Sequence, residues 1–381
     1  MRIGIAGPMS LDLLKEYLPS GAKLPQGYPF PMISVLIKEI IKRGYHVTAY
    51  TTSENIDQPI VFKCEKLTLC IARRKPHSGR NLFVSERSDL LKLIKENPVD
   101  VINAQWSYEF AWAAIDSGIP TLVTLQDHAY TILKYQFDAY RIVRLLMNYI
   151  VLGKAKYLIS NSEYLYNLLS EVNKKKTIII PNFYNEEIDS KYDEKIKKSN
   201  YIVSVSNGFG VRKNISNGLI AFSNIKKKHP DFEYHLIGDG MEEGGPAFLF
   251  AKGKRLLDGV KFIGAIPFSE VIEEIKKAIV CLHPSLEESF GMSVLESQVL
   301  GTAVVGGQNS GNIPYLLEQG NTGYLCDVEK PNDIAKILLE TIEYPTYRQK
   351  IEGRARELAF IKYSSAKIVP LYLEEFKRIV G

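Results

Sequence analysis

Residues 278–301 read AIVCLHPSLEESFGMSVLESQVLG. The apolar run through Leu282 shows no alternation, which is the pattern of a strand buried on both faces. A polar loop carrying Glu287 and Glu288 follows. Gly291 then opens MSVLESQVL, a stretch with helical periodicity that closes on Gly301. Strand, loop and helix in this order form part of a βαβ unit. The helix N-terminus offers unpaired N–H groups and a partial positive charge, and so suits an anion. Glu296 falls about one turn into the helix while Glu288 stays in the loop, so the two acids flank the helix mouth. A carboxylate accepts hydrogen bonds from sugar hydroxyls without offering a competing donor. The plain structural alternative is a pair of acids favoured near a helix N-terminus.

The same alternation extends in both directions. Downstream come TAVVGG (302–307) and TGYLCD (322–327); upstream come YIVSVSN (201–207), a helix near 214–228, EYHLIGDG (233–240) and VKFIGA (260–265). An earlier series begins with RIGIAG (2–7), a helix over 32–43 ending at Gly44, and HVTAYTT (46–52). It continues with VDVINAQ (99–105), IPTLVTLQD (119–127) and AKYLISNS (155–162), each separated by a helical segment. Between the two series, residues 183–200 are charged and lack a packing face, and read as a linker. The fold class is therefore α/β, with two Rossmann-like βαβ domains whose carboxyl strand edges face a cleft. The boundaries fall at 1–185 for an N-terminal domain, 186–362 for a C-terminal domain, and 363–381 for a final helix that packs back on either one.

Composition fits this reading. The chain has 381 residues, a hydrophobic fraction of 45% and a charged fraction of 24%, too much for one ordinary core. A net charge of +5 from 48 basic and 43 acidic residues suits an anionic ligand or membrane surface and is too mild to argue for nucleic acid. Cys64, Cys70, Cys281 and Cys326 show no metal or disulfide spacing. With no signal-like N-terminus and no apolar run of about 20 residues, the expected location is the cytoplasm, with the inner membrane face as an alternative. The segment 133–157 mixes basic and aromatic residues and reads as a helix buried against the first sheet. Contact with a membrane bearing a lipid-linked acceptor is the other reading.

Further residues join the opening stretch as candidates. Gly238, Asp239 and Gly240 make a Gly-Asp-Gly turn that is either a plain tight turn or a place of close ligand approach. Phe262, Ile263 and Gly264 end a strand whose exposed backbone suits a planar base. Lys213, in the Gly-rich turn 207–218, is placed either to stabilise phosphate charge or as a solvated loop charge.

The ordered set of these motifs resembles glycosyltransferase family 4, retaining enzymes of the GT-B fold. Glu288, seven residues and Glu296, preceded by HPS, match the family signature. LIGDG, VKFIGAIPFSEV, GNTGYL (320–325) and the hinge-like IIPNFYN (179–185) stand in the expected order. The resemblance implies transfer of a sugar from a nucleotide diphosphate sugar to a sugar, lipid-linked or small-molecule acceptor. It assigns Glu296 to the ribose, Glu288 to the donor sugar, and Phe290, Gly291, Met292 and Ser293 to the sugar and diphosphate. Lys213 would neutralise the diphosphate and the strand end 262–264 would take the base. The acceptor falls to first-domain loops such as 19–31.

Some positions depart from the family pattern. Ser206 and Asn207 stand where a Gly-Arg pair is usual, leaving Arg212 as the substitute cation. Gln126 stands where a His often approaches the donor sugar, with His128 two residues later. Tyr315 replaces a common acid. These departures keep a second class of function open, a partner subunit that has lost turnover; a nucleotide-sugar epimerase of the same fold would lack the Glu signature. No Asp-x-Asp spacing occurs, so the expectation is a metal-independent reaction without cofactor, its leaving-group charge met by Lys213, Arg212 and the helix mouth. Attack on the donor's front face, with the leaving phosphate taking the acceptor proton, is the implied route.

Overall fold

The structure is a computed structural model that describes residues 1–28 and 30–381; Pro29, within the proposed acceptor stretch 19–31, lies outside them. The chain forms two compact units, Met1–Phe183 with Ser365–Gly381, and Tyr184–Ser364.

The first unit holds an eight-stranded sheet. Its strands are β1 (Ile3–Ala6), β2 (Val47–Ser53), β3 (Ile60–Lys63), β4 (Leu67–Arg73), β5 (Val101–Gln105), β6 (Thr121–Leu125), β7 (Tyr157–Ser160) and β8 (Thr177–Ile179). They lie in the order β3-β4-β2-β1-β5-β6-β7-β8, and all pair in parallel except β3 with β4. The apolar strands β1 and β2 are buried along their whole length, as a sheet covered on both faces requires. Sequence reading missed β3, β4 and β8. The first of these alternates half-buried and exposed residues as an antiparallel edge, and the last has only three residues.

Helix α1 (Pro31–Lys42) starts on a proline at its first turn, and Tyr45 N–H returns to the Ile40 carbonyl around Gly44, at φ +86°. The other principal helices of the unit are α2 (Val84–Glu96), α3 (Glu109–Asp116), α4 (Ala129–Tyr135) and α5 (Ala139–Lys154). Asp138 caps α5 by accepting from Arg141 N–H. The expected burial of this segment is half correct. Met147, Asn148, Val151 and Leu152 pack inward, but Ile142, Leu146, Tyr149 and Ile150 are exposed.

The second unit has six strands, all parallel: β9 (Ser199–Val205), β10 (Glu233–Ile237), β11 (Val260–Gly264), β12 (Ala278–His283), β13 (Ala303–Gly307) and β14 (Tyr324–Cys326). Their order is β11-β10-β9-β12-β13-β14. The chain moves outward one way from β9 and the other way from β12, so the switch point of the sheet lies between these two strands. Loops leaving their carboxyl ends open a crevice there. Helix α6 (Ile215–Lys228) follows β9 and α7 (Met292–Val299) follows β12. The last helix, α8 (Ser365–Val380), buries Ile368, Val369, Tyr372 and Phe376 in the first unit's core.

The expected linker at 183–200 is corrected. Phe183 is in the first unit's core, whereas Tyr184 and Ile188 are in a core cluster of the second. The Lys198 ammonium donates to the carbonyls of Lys276 and Gly301 and to the Thr302 hydroxyl. A few isolated side chains carry this packing, and without periodicity they leave no pattern to read.

Candidate functional site

The switch point of the second unit brings together the loops after β9 and β12. Strand β12 is fully buried and delivers Pro284 to its end. At Gly291 the backbone takes φ +104°, and a Cβ there would come within 2.7 Å of Ile313 Cδ1. Only glycine makes this turn without displacing the neighbour. In the first turn of α7, Val294 and Leu295 donate to the Gly291 carbonyl, while the N–H groups of Gly291, Met292 and Ser293 have no acceptor among the described residues. Three donors and the positive helix end are thus left for an anion.

The loop after β9 is tied to the loop after β12. Asn214, in the left-handed region at φ +54°, donates its amide to the carbonyls of Pro284 and Val328. The Leu286 N–H donates to the Arg212 carbonyl at 2.8 Å. Arg212 Nη1 donates to the Glu287 carbonyl at 3.1 Å and lies 3.4 Å from the Glu287 carboxylate. Asn214 and Glu287 were not among the residues singled out from sequence; a buried Asn before a helix and a doubled Glu were their only signals.

Lys213 Nζ donates to Glu288 Oε1 at 2.5 Å. Arg212 stands 3.8 Å from the other oxygen of Glu288, and His283 Nε2 lies 3.5 Å from Oε1. Burial opposes charge on Glu288, but Lys213, with His283 and Arg212, holds its carboxyl well below the usual range. Sequence reading placed Lys213 toward an incoming anion and Glu288 toward a sugar. In the structure each is the other's partner.

Glu296 is the opposite case. It is 8% exposed, forms no hydrogen bond or ion pair among the described residues, and burial pushes its carboxyl up to about 8. Buried polar groups in folded proteins are normally satisfied. Beside it in the chain, Ser293 Oγ meets His283 Nδ1 at 3.3 Å. The buried hydroxyl of Ser206, at the end of β9, also has no partner.

The glycine turns have a structural cause of their own. Gly238 has φ +120°, and a Cβ there would lie 2.0 Å from the Ser206 carbonyl oxygen. Gly264, at φ +75°, sits against Glu242, and its carbonyl accepts from Gly238 N–H. The Asp239 carbonyl accepts from Gly208 N–H, and Gly240 is left-handed. Phe262 packs edge-on against Phe248, Ile263 bridges to Glu242, and Asn207 is exposed.

His128 belongs to the first unit, where it precedes α4 and its Nδ1 lies 2.6 Å from the Thr131 hydroxyl. Burial, aided by Lys134, pushes its pKa down. Gln126 is the hub of a buried amide network. It donates to Gln105 Oε1 and Asn182 Oδ1 and accepts from Asn161 and Asn182. Gln105 in turn donates to Asn103. The recurrence of Asn and Gln at the ends of β5 to β8 was the overlooked signal. Tyr315 is half-exposed on the helical turn Ile313–Leu316.

Two α/β units with mainly parallel sheets in one chain are the arrangement of the GT-B fold. The family model "Glycosyl transferases group 1" matches residues 185–358, and "Glycosyltransferase Family 4" matches residues 32–188. The chain belongs to this family of group 1, family 4 glycosyltransferases. It is 29% identical over 198 residues to the N-acetyl-alpha-D-glucosaminyl L-malate synthase of Bacillus anthracis, a match covering 50% of this chain and 51% of that one. The chain thus spans about half the length of that relative. Sucrose-phosphate synthase from Thermosynechococcus elongatus superposes with a TM-score of 0.79 at 17% identity, covering 100% and 99% of the two chains. Anabaena HepE, solved in complex with UDP and glucose, gives a TM-score of 0.70 at 15% identity over 99% of each chain. At these identities the structural likeness concerns the fold. Among the described residues, no helix is long and apolar enough to cross a membrane.

Proposed function

We propose that the chain is a retaining glycosyltransferase of the hexosyl-transferring kind, moving a sugar from a nucleoside diphosphate sugar to an acceptor hydroxyl. The observation that carries this reading is Glu296, a buried carboxyl without a partner one turn inside a helix whose first amides are also free. A hydroxyl-rich group attached to an anion satisfies both at once. The ribose meets Glu296 and the diphosphate meets the amides of Gly291, Met292 and Ser293. HepE, solved with UDP and glucose, supports a uridine nucleotide as the first donor to try. The L-malate acceptor in the name of the Bacillus relative supports including small acids among the acceptors tested.

The remaining roles follow from charge. Departure of the diphosphate leaves negative charge on its terminal oxygens, and the main need is cations already in place. Lys213 supplies one by exchanging Glu288 for the phosphate, while Arg212 stays anchored to Glu287 beside it. Glu288, released from Lys213, turns to the sugar hydroxyls with His283 nearby. The acceptor hydroxyl attacks the anomeric carbon on the face the diphosphate leaves, forming the new C–O bond as the old one breaks. Its proton passes to the departing phosphate oxygen. His128 is assigned to the donor sugar. Gly238, Asp239, Gly240, Asn207 and the strand end 262–264 are assigned to the nucleotide.

The test is a donor panel read by calorimetry and by release of nucleoside diphosphate, with and without a chelator. A transferase hydrolyses its own donor slowly in the absence of acceptor, and chelation leaves that rate unchanged. Binding of a donor without release of any diphosphate, across the panel and with acceptors present, would count against turnover and favour a partner subunit.

A further inference from the structure

Helix α5 carries an apolar stripe that the first unit does not cover. Ile142, Leu146, Tyr149 and Ile150 are 40%, 52%, 61% and 37% exposed. Their spacing of four, seven and eight residues puts them on one side of the helix. The opposite side packs through Met147, Val151 and Leu152, so the helix is apolar on both faces. Just before it, Phe137 is 80% exposed. Contiguous bare apolar surface of this kind marks an interaction site.

The surrounding charge selects the partner. Residues 133–157 contain Lys134, Arg141, Arg144, Lys154 and Lys156 against one acid, Asp138. Arg144 is consumed internally by Glu109, Lys154 meets Asp116 and Arg141 lies near Asp138. No ion pair holds Lys134 or Lys156 among the described residues. At the N-terminal end of α5 a cavity of 410 Å³ brings Arg74, Lys75 and Arg80 next to Ala139 and Tyr140, with Glu54 as its acid. An apolar stripe with aromatic residues and flanking cations matches an interfacial helix on a negatively charged bilayer. A symmetric second copy would set these cations against themselves, which disfavours self-association. At 16 residues the helix is about 24 Å long, too short and too charged to span a bilayer.

We propose that the outer face of α5 docks this protein on an anionic membrane surface, with Leu146, Tyr149 and Ile150 at the acyl boundary and the nearby cations among the headgroup phosphates. This goes beyond the transferase reading and does not depend on it, since docking is measured without donor or acceptor.

The experiment is flotation of the full chain with vesicles of phosphatidylcholine, alone or with about one-third phosphatidylglycerol. The wild type floats with the anionic vesicles only, and less as salt rises. Leu146→Glu with Ile150→Glu lowers the apparent affinity by about tenfold or more, while Phe360→Glu with Ile361→Glu, on exposed positions of the second unit, leaves it unchanged. Tyr149→Trp, which keeps the helix apolar, shows a blue-shifted emission when vesicles are added, and this holds the test if the double variant misfolds. Failure of the wild type to float, equal flotation with phosphatidylcholine alone, or an unaltered affinity in the folded double variant overturns the proposal. So does a concentration-dependent dimer, seen by light scattering, that the stripe substitutions abolish.

Discussion

Lys213 and Glu288, 75 residues apart in the chain, share a 2.5 Å hydrogen bond that joins the loop after β9 to the loop after β12. In the proposed reading the cation assigned to the leaving diphosphate is held by the acid assigned to the sugar, so a donor would have to replace one anion with another. Removing one partner leaves a buried charge without its main counterion, which is worse than removing both. Lys213→Ala is expected to cost about 1–3 kcal/mol of stability and to slow diphosphate release by about 100-fold or more. Adding Glu288→Gln to Lys213→Ala should restore part of the stability and none of the rate. Additive stability losses in this double-mutant cycle would show that the pair is not coupled.

The same ion pair has a pH signature. Because the Glu288 pKa is held below its ordinary 4.5, its contribution is present above that value and is lost as pH falls through the lower, folded-state pKa. Acid titration of the melting temperature should therefore drop more steeply for wild type than for Glu288→Gln. Parallel curves would remove Glu288 from the account.

Glu296 behaves with the opposite sign. Its pKa is raised from 4.5 to about 8, so the stability it contributes is full below the ordinary value and is lost as pH rises through about 8. Glu296→Gln cannot ionise and should melt higher than wild type at pH 8, by at least about 1 kcal/mol, with the gap closing toward the ordinary carboxyl pKa. The same variant should bind nucleotide about tenfold or more weakly. A gap in melting temperature that does not change with pH would mean that this carboxyl is not held neutral in the fold.

In the proposed role of Glu296, ribose hydroxyls donate to its carboxylate and so favour the ionised form. Nucleotide binding near neutral pH should therefore release protons, up to about one per site. Calorimetry of the nucleoside diphosphate in buffers of different ionisation enthalpy measures this directly. Wild type should release a proton that Glu296→Gln does not; equal proton counts would place the ribose elsewhere.

Two glycines with positive φ separate strain from collision. Gly244, at φ +78°, has open space around a would-be Cβ, whereas the Cβ of an alanine at 238 would strike the Ser206 carbonyl. Gly244→Ala should cost about 1 kcal/mol and Gly238→Ala about 3 kcal/mol or more. Chemical denaturation of the two variants gives the comparison, and similar losses would contradict the close approach of β9 and β10.

Much of the fold was legible because its signals are local. Short unbroken apolar runs such as IGIA and AIVCLH suit strands of a sheet covered on both faces, and Gly291, Gly44 and Gly301 mark helix ends that need positive φ. The edge strand Ile60–Lys63 and the three-residue β8 escaped notice because short half-exposed segments carry too little periodicity. The candidate positions were legible as neighbours: Glu288, Lys213 and the helix mouth lie on loops that the alternation itself sends to one edge, with Glu296 just inside the helix that follows.

The sequence alone determined the parallel α/β architecture and the motif order, since backbone hydrogen bonding and hydrophobic periodicity depend on near neighbours. Only the tertiary structure decided which side chains are partners. It bonded Lys213 to Glu288, isolated Glu296, enclosed Gln126 in amides and left one face of α5 bare. Each outcome depends on what distant segments bring within hydrogen-bond or van der Waals reach. Those energies are set by burial and short-range geometry, which spacing along a chain does not encode.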